Sequence, residues 1–248
     1  MKKIAEELGK RKPKVAFLLL TEAVLIGVIF YFLFFKNRPD HAWKFFITMF
    51  LAMIPLGLEL TFSLVSRMPL YCFAVVYACG HTVGSCFGLY LSCMWWDKLL
   101  HFAQGVLFTI LVYYLLQRLY DSAGARRAMN LVMAVSFAVL IAVLWEVVEF
   151  SADRILSFDM QKDTYVSEIH SFLLADQSEE AASIEKIESV VVNGQELPGY
   201  VDVGLNDTMW DLIMSLAGAI LFALYGMLDG DRHPLIRLKW DRESHLSA

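Results

Sequence analysis

Six long apolar runs, separated by short polar breaks, organise the chain: Val15–Phe35, Ala42–Val65, Leu70–Met94, Asp97–Leu119, Ala128–Phe150 and Asp207–Leu228. Each is long enough for a helix to cross a bilayer, which takes about 20 residues. Plausible stops lie at their ends: Pro39, Pro69, the Asp121-Ser122-Ala123-Gly124 turn, and Gly230 before Pro234. The first run is too long for a signal-peptide core and no small-residue cleavage site follows it, so it reads as an uncleaved anchor. The pattern predicts an all-α polytopic membrane bundle of about six transmembrane helices. Residues 1–14 form a basic cytoplasmic tail, 15–150 helices one to five, 207–228 helix six, and 229–248 a second cytoplasmic tail. Between the last two runs, 151–206 reads as a small extracytoplasmic α/β insertion. Within it a β-branched run leads into Asn193-Gly194, a hairpin signal, and Ser178–Glu188 is expected to form a short helix.

Composition agrees. Of 248 residues 58% are hydrophobic and 19% charged, and the mean hydropathy is +0.53, against about 45–50% apolar and roughly 25% charged in a soluble domain. Disordered, collagen-like and nucleic-acid-binding classes are excluded. With the N-terminus inside, fourteen of the 21 Lys and Arg residues fall on the cytoplasmic side, which supports an N-in, C-in orientation. The insertion carries eleven acidic and three basic residues and so outweighs the whole-chain charge of −5. Cys72, Cys79, Cys86 and Cys93 recur every seven residues in the third run. That is roughly 10 Å per step along a helix, too far for a disulfide, so they read as small packing residues. Gly80, Gly84 and Gly88 form a small-residue stripe for close helix approach. Bordering it, His81 either packs beside that contact or is delivered by it to a polar centre.

Ionisable groups in spanning helices cost about 2.5–3.5 kcal/mol on an insertion scale and mark candidate sites. Asp97 and His101 start the fourth run, Glu146 and Glu149 end the fifth, and Asp207 and Asp211 start the sixth. Spacings of three and four place each pair on one helical face, and the orientation puts all three pairs at the outer ends. Five carboxylates around one imidazole need raised pKa values or a cation. A divalent ion held by Asp97, His101, Glu146, Glu149, Asp207 and Asp211 fits that donor set. Helix capping is an alternative for Asp97 and Asp207, and interfacial hydration for Glu149. Capping leaves His101, Asp211 and Glu146 unexplained. Glu22 and Glu59 lie nearer the cytoplasmic side. Glu59 reads as a snorkelling or paired group, for instance with Arg67, or as the start of an ion path past His81. Trp95 and Trp96 fit an interfacial aromatic belt. P-loop, dinucleotide, G-x-S-x-G and His-Glu-x-x-His motifs are absent.

The block Asp97-Lys98-Leu99-Leu100-His101-Phe102, with Glu146-x-x-Glu149 and Asp207-Thr208-Met209-Trp210-Asp211-x-x-x-Ser215-x-x-Gly218, resembles the VanZ-like superfamily. It is most similar to the YjdF-like branch of bacterial inner-membrane proteins, where an element like His81/Gly84 also occurs. Glu149 and Ser215 depart from the VanZ pattern, which has Gln and Asn there. The resemblance implies a role in the bacterial cell envelope, in the cytoplasmic membrane. Two functional classes follow. In one, Asp97, His101, Glu146 and Asp211 act with the ion on a lipid or lipid-linked envelope intermediate. In the other, the same cluster serves an ion- or proton-coupled transporter or flippase without chemistry; a non-catalytic scaffold is a third reading. His81, Glu59 and Ser215 are the further polar candidates.

Overall fold

A computed structural model describes residues 2–93, 95–120, 127–175, 180–229, 232 and 234–238, without the side chains of 2–5, 118, 120, 237 and 238. The Asp121–Gly124 turn and the Gly230 stop lie outside the described residues. In chain order the first elements are α1 (Lys2–Gly9), α2 (Lys12–Phe30, continued by a π-helical turn Tyr31–Phe35), α3 (Pro39–Thr61) and β1 (Leu64–Ser66). There follow α4 (Met68–Cys86), α5 (Leu89–Ser92), α6 (Trp96–Tyr120) and α7 (Arg127–Leu156). The insertion contributes β2 (Thr164–Val166), β3 (Ile169–Ser171), a 3-10 turn Phe172–Leu174, β4 (Ala182–Ile184), β5 (Val190–Val192), β6 (Gln195–Leu197) and β7 (Tyr200–Asp202). The chain closes with α8 (Leu205–Asp229) and β8 (Ile236–Leu238). Two compact units arise, residues 1–140 with 214–248, and residues 141–213, divided within α7 and α8.

In the first unit, prolines in the first turn open α2, α3 and α4, where a missing N–H removes no helical hydrogen bond. The third apolar run differs from expectation. Instead of one span to Met94, α4 stops at Cys86, Gly88 takes φ +70, and the short α5 follows. A glycine in the left-handed region ends a helix at no steric penalty. Among the described residues five helices are long and apolar enough to cross a membrane, formed on α2, α3, α6, α7 and α8; α4 is not among them. It nevertheless packs antiparallel against α3: Lys44 Nζ donates to Ser85 Oγ at 2.8 Å, and one turn on the hydroxyls of Thr48 and Thr82 lie 2.6 Å apart. Just ahead of α4, Ser66 N–H of β1 donates to Glu59 Oε1 at 3.2 Å.

The glycine stripe is split by this break. Gly80 and Gly84 pack against Leu100 and Trp96 of α6, whereas Gly88 has nothing within 4 Å of where a Cβ would stand and serves the turn. The four cysteines are free, Cys72, Cys79 and Cys86 on α4 and Cys93 beyond α5. Along α2–α4, Leu25, Phe32, Phe45, Ala52 and Val75 form one apolar core; Ile110, Tyr113, Leu131, Ala134 and Phe222 form a second between α6, α7 and α8.

Helices α6 and α8 meet backbone to backbone. A Cβ on Gly105 would collide with the carbonyl of Ser215, and one on Gly218 with the carbonyl of Phe102. Ser215 Oγ donates to the His101 carbonyl at 3.1 Å, and further on the Tyr113 ring meets Phe222 edge-on at 5.9 Å. These contacts advance together along both chains, so α6 and α8 run parallel. At the other end of the unit, β1 pairs antiparallel with β8, Leu64 opposite Leu238, and Leu235 N–H donates to the Tyr114 hydroxyl at 2.9 Å.

The second unit holds residues 141–156 of α7, the insertion, and residues 205–213 of α8. Three two-stranded antiparallel ladders form, β2 with β7, β3 with β4 and β5 with β6. The Asn-Gly hairpin is realised, with Val190 opposite Leu197 and positive φ at Asn193 and Gly194. The helix expected over Ser178–Glu188 is not formed among its described residues. Ala182–Ile184 is strand β4, paired with Ile169–Ser171, because an Ala/Ser/Ile triplet flanked by acids lacks an apolar helical face but fits a ladder.

Gly105→Ala and Gly218→Ala are expected to destabilise the detergent-solubilised protein by about 3 kcal/mol or more, since backbone cannot yield as a side chain does. Gly57→Ala, where a Cβ meets nothing within 4 Å, is expected to be neutral or slightly stabilising. Thermal melts followed by size-exclusion chromatography read the difference.

Candidate functional site

Asp97 and His101 occupy the first two turns of α6 and are both buried. His101 Nε2 lies 3.7 Å from Asp97 Oδ1, and Lys98 Nζ lies 4.0 Å from Asp97 Oδ2. The helix begins at Trp96, so Asp97 sits inside its first turn and is not the residue flanking it. The face carrying Asp97 and His101 is bounded on one side by Trp96 and Leu100, which meet α4, and on the other by Phe102, Gly105 and Val106, which meet α8. Leu99, on the opposite side, is 56% exposed. The pair therefore points into the protein and away from lipid. Ser215, fully buried on α8, is bonded to the backbone at His101 and so fixes the height of α8 against this turn.

One more residue shares that face. Gln104 follows His101 by three positions, is 5% exposed, and its Nε2 finds no hydrogen-bond acceptor among the described residues. The sequence carries the signal for it, an i+7 repeat from Asp97, but a neutral amide in an apolar run does not stand out as a carboxylate does.

In the second unit Glu146, Glu149, Asp207 and Asp211 are all buried, Asp211 to 1% exposure. Glu146 continues a buried line along α7 that begins Asn130, Ala134, Ala138, Ala142, four residues apart and hence on one face. The Trp145 indole N–H donates to Glu149 Oε1 at 2.8 Å. Asp207 is the third residue of α8: Asp202 Oδ2 accepts the N–H of Asn206 at 2.7 Å, while Asp207 Oδ2 accepts the N–H of Lys162 at 3.0 Å. Asp153, at the end of α7, accepts the N–H groups of Met160 and Gln161 at 2.7 and 2.8 Å, and Gln161 Nε2 donates to Thr208 Oγ1 at 2.5 Å. Carboxylates thus tie the loop after α7 to the start of α8. Burial, then the neighbouring Asp159, Asp153 and Asp202, raises the Asp163 carboxyl above its ordinary range.

Two candidates stand elsewhere. His81 is exposed, with Nδ1 2.8 Å from the Tyr90 hydroxyl; the close approach of α4 to α6 brings Gly80 and Gly84 into contact and leaves His81 outside it. Glu59 pairs not with Arg67 but with the N-terminal segment. Its Oε2 lies 3.2 Å from Arg11 Nε and its Oε1 2.5 Å from Lys14 Nζ, and Ser66 Oγ also donates to it. Arg11 adds Glu7 at 2.8 Å and the Leu64 carbonyl at 3.0 Å. Most of the stretch read as a basic cytoplasmic tail is helical, in α1 and the start of α2, and Arg11 between them, Lys14 and Glu59 are all buried. Two cations and two carboxylates balance, which makes Glu59 a structural counter-ion, already neutralised.

Glu59→Ala leaves buried Lys14 without its carboxylate and Arg11 with Glu7 alone, and is expected to cost about 3–5 kcal/mol, against a smaller loss for Arg67→Ala. Chemical unfolding in detergent, followed by tryptophan fluorescence, compares the two.

A family model described as a predicted membrane protein matches residues 17–232. No curated protein and no solved structure matches the chain.

Proposed function

The chain belongs to the family of predicted membrane proteins designated DUF2238, and from that starting point we propose that it is a multi-pass protein of the bacterial envelope that holds a divalent cation for binding a lipid or lipid-linked headgroup. Asp97, His101 and Asp211 are its ligands. The observation that carries this reading is the parallel, glycine-mediated register of α6 against α8. Ser215 is bonded to the turn of His101; one turn earlier on the two helices stand Asp211 and Asp97. On α8, Asp211, Ser215, Gly218 and Phe222 follow one another by four, three and four residues, the spacing of a single seam, and the last three contact α6. Oxygen donors with one imidazole suit Mg²⁺, Mn²⁺ or Zn²⁺.

Six crossings with both termini inside remain the favoured topology. Support comes from α4 packing antiparallel against α3, and from β8 pairing with β1 beside the start of α2, since an even number of crossings returns the chain to its first side. The charge bias agrees. Asp97 then lies at the outer interface beside exposed Trp95, the level of lipid headgroups, whereas secondary transporters tend to bind near the midplane. A cation there polarises a phosphoryl or carbonyl oxygen, and the resemblance of the Asp97–Phe102 block to VanZ-like proteins favours a substrate of the envelope.

Metal analysis of protein purified under metal-replete conditions tests the reading. Wild type is expected to carry a stoichiometric divalent ion, and Asp97→Ala and Asp211→Ala to lose at least about tenfold in affinity, the order seen when ligand shells are damaged. Wild type carrying no more metal than the two variants would overturn it.

A further inference from the structure

We infer that Gln104 is the group through which this site recognises a phosphoryl oxygen of its ligand. The inference rests on the cation reading above and names the ligand class for it. Asp97, His101 and Gln104 lie within an arc of about 60° on α6 and descend it in steps of about 6 and 4.5 Å. The next positions on that face are Leu107, Phe108 and Leu111, so Gln104 is the last hydrogen-bonding side chain before the apolar interior and forms the floor beneath the two ligands.

A buried amide donor without an acceptor is destabilising by about 1–3 kcal/mol, and native proteins rarely leave one unmatched. The Nε2 of Gln104 is such a donor among the described residues, and it lies on the inward face. The missing acceptor must reach a depth roughly one turn below the cation. It must also be compatible with a cation above and with Lys98 at the rim, 4.0 Å from Asp97. A phosphoryl group satisfies all three conditions. One oxygen joins the cation at about 2.0–2.6 Å, and a second accepts from Nε2 at about 2.9 Å. A neutral amide contributes this contact without adding charge to an acidic site. A carboxylate at position 104 would repel the same ligand.

The test uses the full-length protein in nanodiscs of phosphatidylcholine. Mn²⁺ alone is titrated first, by electron paramagnetic resonance, into wild type, Gln104→Met and Gln104→Glu. Gln104→Met preserves chain length without a donor, and its Mn²⁺ affinity is expected within about threefold of wild type, which also certifies its fold. With Mn²⁺ saturating, short-chain phosphatidic acid and inorganic phosphate are then titrated separately, read by Mn²⁺-induced ³¹P relaxation. Wild type is expected to bind a phosphoryl probe and Gln104→Met to bind it about ten- to hundred-fold more weakly, the range for a hydrogen bond to a charged acceptor. Gln104→Glu is expected to be at least as impaired. Preference for phosphatidic acid assigns a lipid headgroup, and equal or stronger binding of inorganic phosphate assigns a free phosphate. Should wild type bind Mn²⁺ but neither probe, or should Gln104→Met bind both as wild type does, the inference fails and the cation reading survives. Absence of Mn²⁺ binding by wild type defeats both.

Discussion

Two glycines set the distance on which the candidate site depends. Inside a bilayer there is no hydrophobic drive between helices, so association rests on close packing and polar contacts. Gly105 and Gly218 each leave their backbone open to the carbonyl of the other helix, and Ser215 fastens the approach with a hydrogen bond. The register of α6 against α8 follows from these three residues. Asp97, one turn before His101 on α6, inherits its position from it, since a helix is stiff over so short a span.

A second constraint operates at the opposite end of the same unit. Burying Arg11 and Lys14 takes two charges from water, and Glu59 with Glu7 restores neutrality while Leu64 and Ser66 supply the remaining hydrogen-bond partners. Such a network adds little net stability compared with apolar packing, but removing one member is severe. It joins the start of α2, the end of α3 and the residues of β1, which pair in turn with β8. The Arg11–Glu59–Lys14 network is satisfied within its own unit.

Much of this was legible in the sequence, for a physical reason. Carboxylates in an apolar run are conspicuous, and helical periodicity assigns them faces, so Asp97, His101, Glu146, Glu149, Asp207 and Asp211 could be named, and each is buried. The boundaries of α2, α3, α6, α7 and α8 lie within a few residues of the apolar runs. What escaped depends on partners distant in the chain or on signals shared by two structures. Glu59 pairs with residues more than forty positions earlier, and counting basic residues cannot separate a solvated lysine from a buried one. Gly88 looks like Gly80 and Gly84 in sequence, yet only the backbone shows that it turns the chain. Gln104 carries no charge, so neither hydropathy nor charge patterning selects it.

The Arg11–Glu59–Lys14 network has a consequence for synthesis. The two cations leave the ribosome well before the carboxylate that neutralises them, because 45 and 48 residues separate the partners. Until α3 is complete, α2 can settle only with its basic end held out among headgroups and water. Withdrawal of those charges waits for the second helix. Order of synthesis thus becomes order of burial: the charged start of α2 gains the carboxylate it is buried against only once α3 has been made.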